Sequence, residues 1–83
     1  MKDLYLEIIT PDRKIYNGEI RFLHVPGTKG SFAVLRNHAP IISTLNAGRI
    51  RLIDMKKTEV TFQIEGGIIE VMNNKIIILA ETI

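Results

Sequence analysis

The sequence predicts an all-β fold, a small antiparallel sandwich or barrel of about nine short strands. Three observations carry that prediction. Fifteen Ile and four Val outnumber the fourteen Leu, Ala and Met together, and side chains branched at Cβ fit a pleated strand better than a helix. Turn-forming residues recur at short intervals, so no uninterrupted segment is long enough for a substantial helix. Where the segments between them can be read, apolar and polar residues alternate with a period of two.

The turn signals, in chain order, are Pro11-Asp12, Asn17-Gly18, Pro26-Gly27 through Gly30, Pro40, Asn46 through Gly48, Asp54 through Lys57, Gly66-Gly67 and Asn73-Asn74. Between the second and third, Ile20, Phe22 and His24 share one strand face, which makes His24 a strand histidine at a sheet edge or partly in the core. Residues 31–35 read as an extended segment leaving the Gly-rich turn. In residues 49–53 Ile50 and Leu52 share a face. The clearest strand is 58–65, where Val60, Phe62 and Ile64 alternate with Glu59, Thr61, Gln63 and Glu65. Gly66 and Gly67 then read as a structural hairpin turn, with at least one glycine at positive φ. Residues 75–80 are apolar almost throughout, which predicts a central strand covered on both faces. Short strands joined by tight turns, with no intervening helix, give the fold class.

Eighty-three residues make one small domain, and a chain of this length buries only about 60% of the surface it exposes when unfolded. It has no cysteine, so no disulfide reinforces it, and the lack of thiols leaves the compartment open. The longest apolar run, 76–80, is far short of the roughly 20 residues of a membrane helix, and Asp3 and Glu7 interrupt the region where a signal peptide would be apolar. The expectation is a chain that neither crosses a membrane nor carries a cleaved leader. Eleven basic and nine acidic residues give a net charge of +2. The cations are scattered, so weak basicity names no partner.

Catalytic patterns are poorly supported. His24 and His38 are the only histidines, and no carboxylate is spaced to complete a zinc site with them. The turn Gly27-Thr28-Lys29-Gly30-Ser31 lacks P-loop spacing and leads into an extended segment instead of a helix N-terminus. Glu65 and Glu70 bracket Gly66-Gly67 as strand-end carboxylates do for solubility, with no nucleophile nearby in sequence. A small hydrolase therefore has no candidate cluster. A nucleic-acid-binding β-barrel, the alternative binding role, calls for basic residues interleaved with exposed aromatics. The five aromatics are Tyr5, Tyr16, Phe22, Phe32 and Phe62, and alternation places Phe62 inward.

A series of motifs remains that composition does not explain. Gly27-Thr28-Lys29-Gly30-Ser31-Phe32-Ala33-Val34-Leu35 precedes Asn37-His38-Ala39-Pro40, in which Pro40 keeps Ala39 extended. Ala47-Gly48-Arg49-Ile50-Arg51 follows. Gly66-Gly67-Ile68-Ile69-Glu70-Val71 then leads through Asn73-Asn74 into Ile76-Ile77-Ile78-Leu79-Ala80. In order and spacing this resembles the epsilon subunit of the F-type ATP synthase, specifically its N-terminal β-sandwich domain, from about Leu4 to Glu81.

The resemblance implies a two-sheet sandwich of nine to ten strands and a non-catalytic role without a cofactor. The subunit would pack on the gamma subunit at the foot of the central stalk and touch the c-ring, coupling proton or sodium flow to ATP synthesis. It would share the complex with alpha and beta subunits, bind no nucleic acid, and lie peripherally at the cytoplasmic face of the energy-transducing membrane, meeting the bilayer only through the complex. Matching positions imply gamma contacts at Thr10, His38, Ala39, Pro40 and Ser43, and c-ring contacts at Gly27, Thr28, Lys29, Gly30 and Ser31. Two departures stand out. The two C-terminal helices of the commoner form, which carry its regulatory ATP binding, do not follow residue 83, so the expectation is a single domain that binds no ATP, whether a natural short form or a piece of a longer chain. Arg36 stands where family members often carry Pro, which predicts a looser approach to His38.

Overall fold

A computed structural model describes residues 3–82. It contains eight strands: β1 (Leu4–Ile9), β2 (Lys14–Val25), β3 (Phe32–Val34), β4 (Ile41–Leu45), β5 (Gly48–Asp54), β6 (Glu59–Ile64), β7 (Gly66–Met72) and β8 (Lys75–Glu81). Hydrogen bonding links them in the order β4-β7-β8-β1-β2-β5-β6, with β3 on β2. The long β2 makes this one continuous sheet folded over into two layers. Its residues from Lys14 to Ile20 pair with β1, and those from Ile20 onward pair with β5 and β3. β4, β7, β8 and β1 thus form one layer with the start of β2, while β3, β5 and β6 form the other with its end.

The fold class is as expected, with two differences in detail. The strand count is eight because Asn17-Gly18 is not a turn: Asn17 pairs with Glu7 and Gly18 with Leu6 in mid-strand. A local Asn-Gly preference yields where both flanking segments gain ladder hydrogen bonds from a neighbouring strand. One pair is parallel, β1 against β8, which sets the two ends of the described chain side by side at the centre of the first layer.

Alternation places the core as read. Ile50, Leu52 and Ile64 are fully buried, and Val60 and Phe62 pack against the same cluster. Leu4, Leu6 and Ile8 of β1 meet Ile69 and Val71 of β7 and Ile76 and Ile78 of β8 in that core. Phe62 sets its ring edge-to-face on Tyr16, at 5.9 Å between centroids and 71° between planes, an arrangement that aromatic quadrupoles favour. The registers shift twice along β2, first between Ile8 and Ile9 of β1, where the consecutive Ile15 and Tyr16 both pack against the core. The second irregularity, between Ile20 and Phe22, moves the inward set from Ile20 to Leu23 and Val25, so His24 points to the opposite face from Ile20, as a bulge requires.

Gly66 and Gly67 are not a hairpin turn. They open β7, with Gly67 paired to Ala80 and to Leu45, and Gly66 paired to Glu81. The bend is at Glu65 alone, whose N–H donates to Glu81 O at 2.7 Å. β6 and β7 belong to different layers, so the chain changes layer here, which needs a corner and not a hairpin. What requires glycine at 67 is proximity: a Cβ there would lie 2.5 Å from Leu79 O and 3.2 Å from Ala80 Cα of β8.

β8 is also not covered on both faces. Ile76, Ile78 and Ala80 are buried, but Leu79 is 52% exposed. Its position between β7 and β1 makes it central in the ladder while leaving its outer face open.

Candidate functional site

The outer face of the first layer is apolar where a one-sided sheet would normally be polar. The registers align Thr44, Ile68, Leu79 and Ile9 in one row across β4, β7, β8 and β1, and Ile42, Glu70, Ile77 and Glu7 in the next. Ile42 is 72% exposed, and Ile68 and Leu79 about half as accessible surface as a free chain would offer, at 46% and 52%. Exposed apolar side chains grouped on one face of a small domain mark an interaction site. The outer face of the second layer differs: Arg49, Thr61 and Gln63 are exposed there, and Arg51 is engaged by Glu59 at 3.3 Å while stacking over Phe22 at 5.1 Å.

Two hollows border the apolar face and share Thr44 and Ile68. The first runs between β4 and the Gly-rich turn, with His38, Ser43 and Ile42 on one side and Thr28, Lys29, Gly30 and Ser31 on the other. The second is lined by Thr10, Pro11, Ile9, Ile68 and Leu79. The structure therefore gathers residues from Ile9 to Leu79 onto one surface, and it sets residues nominated for different partners side by side.

Local chemistry holds each part in place. The turn is built on Gly27, where a Cβ would fall 2.6 Å from Gly30 O and 2.9 Å from the Phe32 ring. Gly30 N–H donates to Gly27 O at 3.0 Å, and Gly30 takes φ 128°, in the region only glycine adopts readily. Thr28 N–H donates to Thr44 O at 3.0 Å, the two threonine hydroxyls are 2.7 Å apart, and Asn46 N–H donates to Pro26 O at 2.7 Å. These bonds dock the turn on the edge of β4. Lys29, Gly30 and Ser31 stay exposed at its tip.

His38 is half-buried, with Nδ1 2.7 Å from Ala39 O, and Ala39 and Pro40 are exposed beside it. The approach to His38 is pinned, contrary to the loosening expected from Arg36. Arg36 pairs with Asp3 at 3.6 Å. Asn37, at φ 68°, donates its N–H to Asn74 Oδ1 at 2.6 Å, and Asn74 Nδ2 donates to Asn37 Oδ1 at 3.3 Å. Asn tolerates the left-handed conformation at both positions, and the clasp ties this loop to the tip of the β7–β8 hairpin. Ser43 is half-buried, its hydroxyl donating to Thr44 O at 3.1 Å. Thr10 is 7% exposed; its hydroxyl donates to Arg13 O at 3.0 Å and accepts from Arg13 N–H at 3.2 Å. It shapes the β1–β2 loop and offers a partner little surface of its own.

The residues missed from sequence are Ile42, Thr44, Ile68 and Leu79. Parity was the available signal: with Ile69 and Ile78 inward, Ile68 and Leu79 face outward. At the margin of the face, Glu7 lies between Lys14 and Lys75, the latter at 3.9 Å. The hydrogen bond from Lys14, aided by the charges of both lysines, holds the Glu7 carboxyl below the ordinary range, and Glu7 in turn raises Lys14. Among the described residues no group of three His, Asp or Glu side chains converges on a point that could hold a metal ion, and no helix is long and apolar enough to cross a membrane.

Comparison with known proteins gives this surface its context. Residues 3–83 match the family described as ATP synthase, Delta/Epsilon chain, beta-sandwich domain. The ATP synthase epsilon chain of Chlorobaculum tepidum is 43% identical over 82 residues, covering 99% of this chain and 93% of that protein. The epsilon chain of Caulobacter vibrioides is 38% identical over 81 residues, covering 98% and 93%. The chain spans only 55% of the Pelotomaculum thermopropionicum epsilon chain, to which it is 45% identical over 75 residues. Among solved structures, a chain of the Euglena gracilis mitochondrial ATP synthase, determined as an OSCP/F1/c-ring assembly, superposes with a TM-score of 0.89 at 18% identity, over 94% of this chain and 50% of that one. A chain of the Tetrahymena thermophila mitochondrial ATP synthase central stalk and c-ring superposes at 0.81 with 15% identity, over 96% and 64%. Those two likenesses concern the fold. The family match over nearly the whole chain, with relatives covered almost end to end, shows that this protein belongs to the delta/epsilon family of ATP synthase subunits and carries its β-sandwich domain.

Proposed function

We propose that this chain is a central-stalk subunit of a proton- or sodium-driven F-type ATP synthase, seated by the outer face of its first layer on the gamma subunit, with residues 27–31 turned toward the polar loops of the c-ring. The epsilon chain is not itself catalytic. Its work in this reading is mechanical: gamma, the c-ring and this domain turn as one body, sharing the complex with alpha and beta, and the domain meets the membrane, at its cytoplasmic face, only through the c-ring. One β-sandwich domain across the matched residues 3–83 and the absence of a cofactor belong to the same proposal.

The observation that carries it is the cluster of Ile42, Ile68 and Leu79 across two adjacent rows, exposed on a sandwich whose other layer is polar outside. A rotor part needs a broad apolar seat and a stiff body, and interlocked side chains at crystal-like density supply the stiffness. The first hollow places His38 and Ser43 next to the turn of residues 28–31, which suits a site where gamma and the c-ring come close together. Gel filtration of the purified chain with the gamma subunit of its own enzyme tests the reading. The two are expected to co-elute, and separate elution at micromolar concentrations would overturn it.

A further inference from the structure

The outer face is not uniformly apolar. Glu70 stands between Ile42 on β4 and Ile77 on β8, with Ile68 two residues away on the same face of β7. The other carboxylate of that row, Glu7, already has Lys14 and Lys75 beside it. Glu70 is exposed and, among the described residues, has no ion-pair partner and accepts no side-chain hydrogen bond. A charge in that position opposes docking of a purely apolar surface, because covering it unpaired removes its hydration without replacing it.

We infer that the partner surface seated on this face carries a lysine or arginine that pairs with Glu70, inside an otherwise apolar contact made to Ile42, Ile68 and Leu79. The inference rests on the reading of this face as the gamma-binding surface and specifies the chemistry of the partner. The occupant is a gamma-type segment bearing one cation among apolar side chains, complementary in charge to the exposed Glu70. Glu81, exposed at the other end of the apolar patch beyond Leu79, gives the face an acidic margin at both ends of that stretch. The first hollow adds Lys29 and His38 as basic groups, and among the described residues neither forms an ion pair with Glu70. Specificity follows: a wrong apolar partner without the cation leaves Glu70 buried and unpaired.

The test is the affinity of the full chain for its gamma subunit, measured by calorimetry at low and high salt, for wild type, Glu70→Gln and Glu70→Lys. Glu70→Gln keeps the shape and removes the charge, and is expected to weaken binding by about tenfold at low salt and to flatten the salt dependence. Glu70→Lys should weaken it further, and reversing the charge of the partner's cation should restore part of that loss. Neither exposed substitution should change the melting temperature by more than a few degrees. Unchanged affinity of Glu70→Gln at both salt concentrations would overturn the inference while leaving the gamma reading intact. No binding by the wild-type chain, or wild-type self-association through this face, would overturn both.

Discussion

Gly67→Ala is expected to lower the melting temperature by about 10 °C or more, and Gly67→Val to leave the chain insoluble. The added Cβ would sit 2.5 Å from Leu79 O and 3.2 Å from Ala80 Cα, both backbone atoms of β8, so no side chain can move aside. Relief requires β7 to part from β8 at the pairs Gly67–Ala80 and Ile68–Leu79, which also disturbs Leu45 on the other side of β7. Overpacking of this kind costs about 1 to 3 kcal/mol or more, and about 1 kcal/mol moves the midpoint of a domain this size by 4 to 8 °C. Gly66→Ala is the control. Its Cβ meets the Glu81 carboxylate tip at 3.3 Å and Leu45 O at 3.5 Å, and a flexible tip can swing away, so the midpoint should fall much less. Equal losses at the two positions in a thermal melt would return the pair to the role of a simple turn.

The second large effect concerns the seat on gamma. Ile68→Asp with Leu79→Asp should abolish co-elution with the gamma subunit while leaving the isolated chain folded. Both side chains are about half exposed, so the isolated domain loses little packing, whereas the complex would have to bury two unpaired carboxylates beside Glu70, at a cost of several kcal/mol. Circular dichroism and a thermal melt confirm folding. A folded double variant that still co-elutes with gamma would mean the face is wrongly assigned.

How legible this site was depends on what each residue answers to. Ile50, Leu52, Val60, Phe62 and Ile64 follow the core of their own chain, and period-two alternation placed them correctly. Asn17-Gly18 misled because its turn preference is local, while the pairing of β2 with β1 is not. His24 was placed on the wrong face because the irregularity between Ile20 and Phe22 leaves no mark in the hydropathy pattern. Leu79 is the most instructive case. An apolar residue in a central strand reads as covered on both sides, and the sequence does not distinguish cover by the same chain from cover by a partner. The part of the face that Leu79 supplies was therefore visible as hydrophobicity and misread as core. The nominated residues His38, Ser43 and 28–31 do meet at one hollow, but Thr10 turned inward, its hydroxyl spent on Arg13.

Orientation within the stalk is the central claim, and disulfide trapping in the assembled enzyme tests it most directly. A cysteine at Ser31 should crosslink to a cysteine placed in the polar loop of the c-subunit, and a cysteine at Ile42 should crosslink to gamma. Cysteines at Thr61 and Gln63, exposed on the outside of the second layer, should form neither. Trapping from Thr61 or Gln63, with none from Ser31 or Ile42, would contradict the account.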